Sequence, residues 1–143
     1  MQGQEVALWV YEKTGGFLND ATQGIGWISD GVFTNGFAFE WFNKYNMLVH
    51  QRHDKPAVRG LWAACADYCF NDLGLPRITG TVAASNALAL RLNERIGFER
   101  EAVLRNAAHD GSDLIVIVLW REKCRMLNWR QNGIRQKLST ARA

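Results

Sequence analysis

The sequence predicts a mixed α+β domain: an antiparallel meander, then helix, strand, helix and a terminal hairpin. Three observations predict it. Between residues 24 and 50, short apolar runs alternate with turn signals, as in a meander. From Ala57 to Leu73 the period changes: Val58, Leu61, Trp62, Cys65, Tyr68, Cys69 and Leu73 recur at three and four, which marks an amphipathic helix. The segments that follow read as strand, helix and two more strands, an order that fits α+β or mixed α/β rather than a doubly wound sheet.

In chain order, Glu5–Lys13 reads as a short helix stopped by Gly15 and Gly16. Gly24–Ile28 and Val32–Phe42 are strands joined across Ser29, Asp30 and Gly31, a hairpin turn. Asn43–Asn46 is a second turn signal and Met47–His50 a short third strand. Gly74 is the natural stop of the long helix. Arg77–Ala83 is a strand, and Ser85 or Asn86 can cap a helix that runs through Leu88, Leu92 and Ile96 to Gly97. Phe98 to about Ala107 and Leu114 to about Arg121 complete the set. Between them, His109, Asp110 and Asp113 lie in a segment centred on Asp110-Gly111, which is turn chemistry rather than a metal site or a triad fragment.

A chain of 143 residues can bury one full core but not two, so residues 1–127 are read as one domain and 128–143 as a basic tail. With 48% hydrophobic and 22% charged residues, disordered and collagen-like classes are excluded. No uncharged apolar run approaches the ~18 residues of a membrane span, and Glu5, Glu12 and Lys13 do not suit a signal peptide, so a cytoplasmic protein is expected. Cys65, Cys69 and Cys124 cannot all pair within one chain and lack zinc-site spacing; they are expected as reduced thiols, the first two in the core, with no metal. Residues 121–143 carry seven Lys and Arg against one acid. Such a tail is solvated, docked on a partner protomer or, as the weakest reading, an attractant for nucleic acid.

Leu73-Gly74-Leu75-Pro76-Arg77-Ile78, then Asn86 with Ala89, then Asn93-Glu94-Arg95-Ile96-Gly97-Phe98, and finally Asp110-Gly111 before a strand, together resemble the GNAT acyltransferase superfamily. The segment Arg121-Glu122-Lys123-Cys124-Arg125 is similar to the ribosomal-protein-alanine acetyltransferase branch and to short phage or prophage members. The resemblance implies a splayed mixed β-sheet flanked by helices, shortened at the N-terminal side. It implies acetyl-CoA in the cleft between two central parallel strands, Met47–His50 and Arg77–Ala83. A pyrophosphate needs several donors in a small space, which a helix N-terminus supplies with a favourable dipole.

In this reading the pyrophosphate loop falls in Gln51–Val58, where the family glycines are missing and Lys55 stands at one glycine position. Arg52, His53, Asp54, Lys55, Ala57, Val58 and Arg59 are the cofactor-binding candidates there, with Arg52, Lys55 and Arg59 compensating by charge or being simply solvated. Asn86 matches a family asparagine that contacts the pantetheine arm, and equally suits a helix cap. Asn93 stands where many relatives carry a tyrosine that protonates the leaving thiolate; a thiolate of pKa near ~8.5 can leave without it.

The implied reaction is direct attack of an amine on the thioester, with the oxyanion held by a backbone N–H at Leu48 or Val49. A base must take a proton from the amine. Glu40, alone among Phe39, Trp41 and Phe42, and His50, at the end of its strand, are the two candidates. A homodimer is expected through Trp9, Trp120, Met126, Leu127 and Trp129. Three functions compete: an N-acetyltransferase acting on a protein or small amine, a non-catalytic acyl-CoA-binding or interaction module, and a nucleic-acid-binding or nucleic-acid-modifying phage protein.

Overall fold

The computed structural model describes residues 1–40 and 42–127. Helix α1 (Gln4–Thr14) is followed by β1 (Gln23–Ser29), β2 (Val32–Glu40) and β3 (Leu48–His53). Helix α2 (Arg59–Asp67) runs into a π-helical turn, Tyr68–Asp72, before β4 (Arg77–Ala83), α3 (Ala87–Ile96), β5 (Glu99–Leu104) and β6 (Leu114–Trp120). The six strands form one sheet in the order β1-β2-β3-β4-β6-β5. All neighbours are antiparallel except β3 and β4, which are parallel and paired at one position, Leu48 with Thr79.

The hairpin between β1 and β2 turns on Asp30 and Gly31, at φ 53° and 80°. Both central residues of that tight turn need positive φ, which the Asp-Gly pair tolerates. Helix α1 buries Val6, Ala7, Val10 and Tyr11 against the sheet. It lies close because Gly24, Gly26 and Gly36 face it: a Cβ on Gly24 would lie 2.8 Å from the Ala7 nitrogen, and one on Gly26 2.9 Å from Val6 Cγ1. The opposite face is the larger core, where Phe37, Phe39 and Val49 meet Trp62, Cys65 and Cys69 of the α2 segment and Leu90 and Ile96 of α3.

Several expected boundaries move. Strand β2 ends at Glu40 rather than Phe42, and Trp41 lies outside the described residues. Strand β3 continues three residues past His50, because β2 still offers Phe37, Gly36 and Asn35 as partners for Gln51, Arg52 and His53. Helix α2 starts at Arg59, two residues later than expected, and its last part widens into the π-helical turn that buries Cys69 and Phe70. Strand β5 stops at Leu104, before Asn106 turns at φ 55°.

Four of the five apolar residues expected at a protomer contact are engaged within the chain. Trp9 packs on Phe33 and under the Arg52 guanidinium at 4.0 Å, and Trp120 lies under Arg77 at 5.2 Å. Met126 and Leu127 pack against the larger core. Trp129 and the basic segment 128–143 lie outside the described residues. Cys65, Cys69 and Cys124 are free, the first two buried. Among the described residues no helix is long and apolar enough to cross a membrane, and no His, Cys, Asp or Glu cluster could hold a metal ion.

Candidate active site

The site begins with the parting of β3 from β4. The Thr79 N–H donates to the Met47 carbonyl at 2.8 Å, so the main chain of Met47 faces β4. The Asp54 N–H donates to the Thr34 carbonyl at 2.8 Å, so even-numbered positions of β3 face β2. Strand alternation then directs Val49, Gln51 and His53 toward β4, and Leu48, His50 and Arg52 toward β2. Leu48 therefore does not present its N–H to the cleft, contrary to expectation. Gln51 carries the first main-chain N–H beyond the Leu48–Thr79 pair on the open side.

On the α1 face, Glu40 lies opposite Leu48 and His50 opposite Ala38, which makes Glu40 and His50 diagonal neighbours. Glu40 Oε1 accepts from His50 Nε2 at 2.7 Å, and Glu40 Oε2 accepts from the Tyr11 hydroxyl at 2.9 Å. Each of the Glu40 and His50 side chains is 14% exposed, largely desolvated yet reachable. Burial first, and then the bond to Glu40, push the Tyr11 phenol above its usual range, so it stays a proton donor to the carboxylate. With Nε2–H donated to Glu40, Nδ1 is the ring nitrogen left to accept a proton. The two residues read from sequence as rival bases are thus one hydrogen-bonded pair.

On the other face a second polar chain runs from β2 to α3. Asn35, fully buried, donates from Nδ2 to His53 Nδ1 at 3.0 Å and to the Lys55 and Pro56 carbonyls at 2.9 and 3.3 Å. His53 Nε2–H donates to Gln51 Oε1 at 3.1 Å, Gln51 Nε2 to Asn93 Oδ1 at 2.8 Å, and Asn93 Nδ2 to the Ala89 carbonyl at 2.8 Å. Burial lowers the His53 pKa to about 4, so the ring is neutral and serves Asn35 as acceptor and Gln51 as donor. Asn35 Oδ1 and Trp62 Nε1, both buried, have no partner among the described protein atoms.

Arg52 and His53, expected in a phosphate-holding loop, are strand residues. Arg52 turns to the α1 side, where it binds Asp54 at 2.8 Å, Glu12 at 3.2 Å and the Trp9 carbonyl at 2.7 Å. Its hydrogen bond holds the Asp54 carboxyl below the usual range, helped by Lys13. The loop proper is Asp54–Val58, with Asp54, Lys55 and Ala57 exposed and tied from below by Asn35. Val58 caps α2 with no side-chain bond to its first amides. Arg59 and Lys55 form no ion pair among the described residues. Asn86 caps α3, its Oδ1 accepting from the Ala89 N–H at 3.1 Å. Asn93, at the family tyrosine position, is 1% exposed and commits both ends of its amide to the fold.

Tyr11, Asn35 and Gln51 are the site-forming residues that sequence reasoning passes over. No local pattern singles them out, since their partners are 29, 18 and 42 residues away. Asp110 accepts from Ser85 and Ser112, the turn role expected of it.

By sequence the chain matches no protein-family model and no curated protein. Solved structures do match. A spermidine N-acetyltransferase chimera from Vibrio cholerae and hSSAT superposes with a TM-score of 0.64 at 22% identity, over 82% of this chain and 74% of that one. The V. cholerae spermidine N-acetyltransferase in complex with CoA and spermine gives 0.64 at 19% identity, over 82% and 75%. A GNAT-family acetyltransferase from Bacillus anthracis gives 0.56 at 18%, over 71% and 66%. The mixed six-stranded sheet with three helices, parted at its single parallel pair, has the fold of the GNAT acetyltransferases.

Proposed function

We propose that this chain is an acyl-CoA-dependent N-acetyltransferase that passes an acetyl group from acetyl-CoA to an amine of a protein or small molecule by direct attack. The observation that carries the reading is the His50–Glu40 pair, held by Tyr11 beside the point where β3 and β4 part. An extended pantetheine arm suits that gap, because the Gln51 and His53 main chain faces it without a partner from β4. Asn86 spends its Oδ1 on the helix cap and keeps its Nδ2 for the arm. The pyrophosphate falls at the Asp54–Val58 loop, where the uncapped α2 amides, Lys55 and Arg59 provide donors and charge in place of the family glycines.

In the reaction, the amine lone pair attacks the thioester carbon and the C–S bond breaks. The Gln51 N–H takes the developing oxyanion; Val49, expected for that role, has its N–H turned to Thr79 in the parallel bridge. His50 Nδ1 accepts the proton, and Glu40 stabilises the resulting imidazolium. Asn93 has no proton to give, so the thiolate leaves unassisted. The free thiols suit a reducing, cytoplasmic setting.

Asn93 also favours a second reading, a non-catalytic acyl-CoA-binding module. Titration calorimetry with acetyl-CoA, with and without Lys55→Glu, followed by mass spectrometry of an amine panel, separates the two. Amine acetylation supports the enzyme. Binding with no acetylated product supports the module, and no binding at millimolar acetyl-CoA sinks both.

A further inference from the structure

A pocket of about 210 Å³ opens at the end of the sheet opposite the Asp54–Val58 loop. Asn19 and Thr22 from the segment after α1, Phe39 and Glu40 from the end of β2, Met47 before β3 and Tyr68 from the π-helical turn line it. Met47 is one residue before Leu48, and its carbonyl receives the Thr79 N–H, so the pocket abuts the point where the parallel strands part. The cofactor loop follows the far end of β3, at His53. A ligand here and one in the cleft would therefore approach the same point from opposite ends, as direct transfer between two bound substrates requires.

Much of the lining is apolar or aromatic, from Phe39, Met47 and Tyr68, and part of it is neutral and polar, from Asn19, Thr22 and Gln23. Glu40 is the single charged residue among the described lining residues. Asp20 and Asp72 adjoin the lining in sequence but are exposed, so water and salt screen them and they act mainly on approach. At about 210 Å³ the pocket is also below the ~300–1,000 Å³ of sites for drug-sized ligands.

We propose that the pocket seats the acceptor, and that the acceptor is a primary amine with one cationic centre on a compact apolar or aromatic body, rather than a polyamine. This deepens the acetyltransferase reading and rests on it. One carboxylate balances one ammonium group, while the apolar wall gains by covering hydrocarbon. A chain with three or four ammonium groups would leave the others desolvated against Phe39, Met47 and Tyr68 without counter-charge. His50 does not line the pocket but is hydrogen-bonded to Glu40, so an amine held at Glu40 would reach it there, its Nδ1 taking the proton as the new C–N bond forms and the C–S bond breaks.

The test compares kcat/KM of the full chain for 2-phenylethylamine, n-butylamine and spermidine at saturating acetyl-CoA. The expected order is 2-phenylethylamine, then n-butylamine, then spermidine, with about tenfold between first and last. Ala21→Trp, at an exposed lining position, narrows the mouth; it should raise KM for 2-phenylethylamine about tenfold and leave acetyl-CoA affinity unchanged. Preference for spermidine with transfer intact overturns this inference alone. An unchanged KM in Ala21→Trp overturns the placement of the acceptor. Failure to acetylate any amine overturns the acetyltransferase reading together with the inference.

Discussion

Glu40 and His50 sit diagonally across β2 and β3, and the 2.7 Å contact between Oε1 and Nε2 aims the imidazole with its Nδ1 free. His50→Ala should lower kcat by ~10²–10⁴, the usual contribution of a positioned base, while acetyl-CoA affinity measured by calorimetry stays level. Glu40→Gln keeps an oxygen for the Nε2–H but loses the charge, so its loss should be smaller. Undiminished kcat in His50→Ala would remove His50 from the mechanism.

His53 makes stability depend on pH. Its pKa falls from 6.5 to about 4 on folding, because burial disfavours the imidazolium. The unfolded chain therefore binds the proton more readily, and stability is fully present above about pH 6.5. It is lost as pH drops toward 4, by an amount on the order of 3 kcal/mol. Urea unfolding of the wild type and His53→Gln between these limits should give a steeper fall for the wild type. Parallel curves would contradict a neutral, buried His53.

Asn35 holds the Asp54–Val58 loop from the sheet through the Lys55 and Pro56 carbonyls. Asn35→Ala releases that loop, and acetyl-CoA should bind about tenfold more weakly, the equivalent of one such hydrogen bond. The value of kcat at saturating acetyl-CoA should hold. A fall in kcat with unchanged affinity would place the effect at the reacting centre instead.

Gln51 and Asn93 join β3 to α3 by one side-chain bond of 2.8 Å. Asn93→Leu strands the Gln51 amide and should cost ~1–3 kcal/mol of stability. Adding Gln51→Leu removes the stranded amide but takes the acceptor from the His53 Nε2–H, so the double variant should recover only a minor part of the loss. A double-mutant cycle with no coupling would show that the bond contributes nothing.

Gly97 ends α3 at φ 123°, and a Cβ there would lie 2.1 Å from the Lys123 carbonyl oxygen. Gly97→Ala combines backbone strain, ~1–3 kcal/mol by itself, with a backbone clash. It should lower the midpoint of thermal unfolding more than a Gly→Ala change at any other glycine among the described residues. A midpoint within error of the wild type would mean that the Arg121–Lys123 turn shifts freely.

The sequence by itself determined the order of elements, since helix period, turn residues and glycine stops are local signals. Arg77–Ala83 matches β4 end for end, Asn86 is the one of the two residues read as caps that caps α3, and the Asp30-Gly31 turn joins β1 to β2. Glu40 was also visible as the lone acid within an apolar run, His50 as the polar end of its strand, and Asn86 as a helix cap and a match to a family asparagine. What the tertiary structure decided was who meets whom. The length of β3 depends on partners that β2 still offers, so Arg52 and His53 left the expected loop for a strand. Glu40 and His50 became one unit through pairing of β2 with β3, and Tyr11 joined them by the packing of α1 on a glycine-lined face. Asn35, Gln51 and Asn93 found each other across three elements. A hydrogen bond between residues tens of positions apart leaves no periodic trace in sequence, because its geometry exists only after the sheet has set the register.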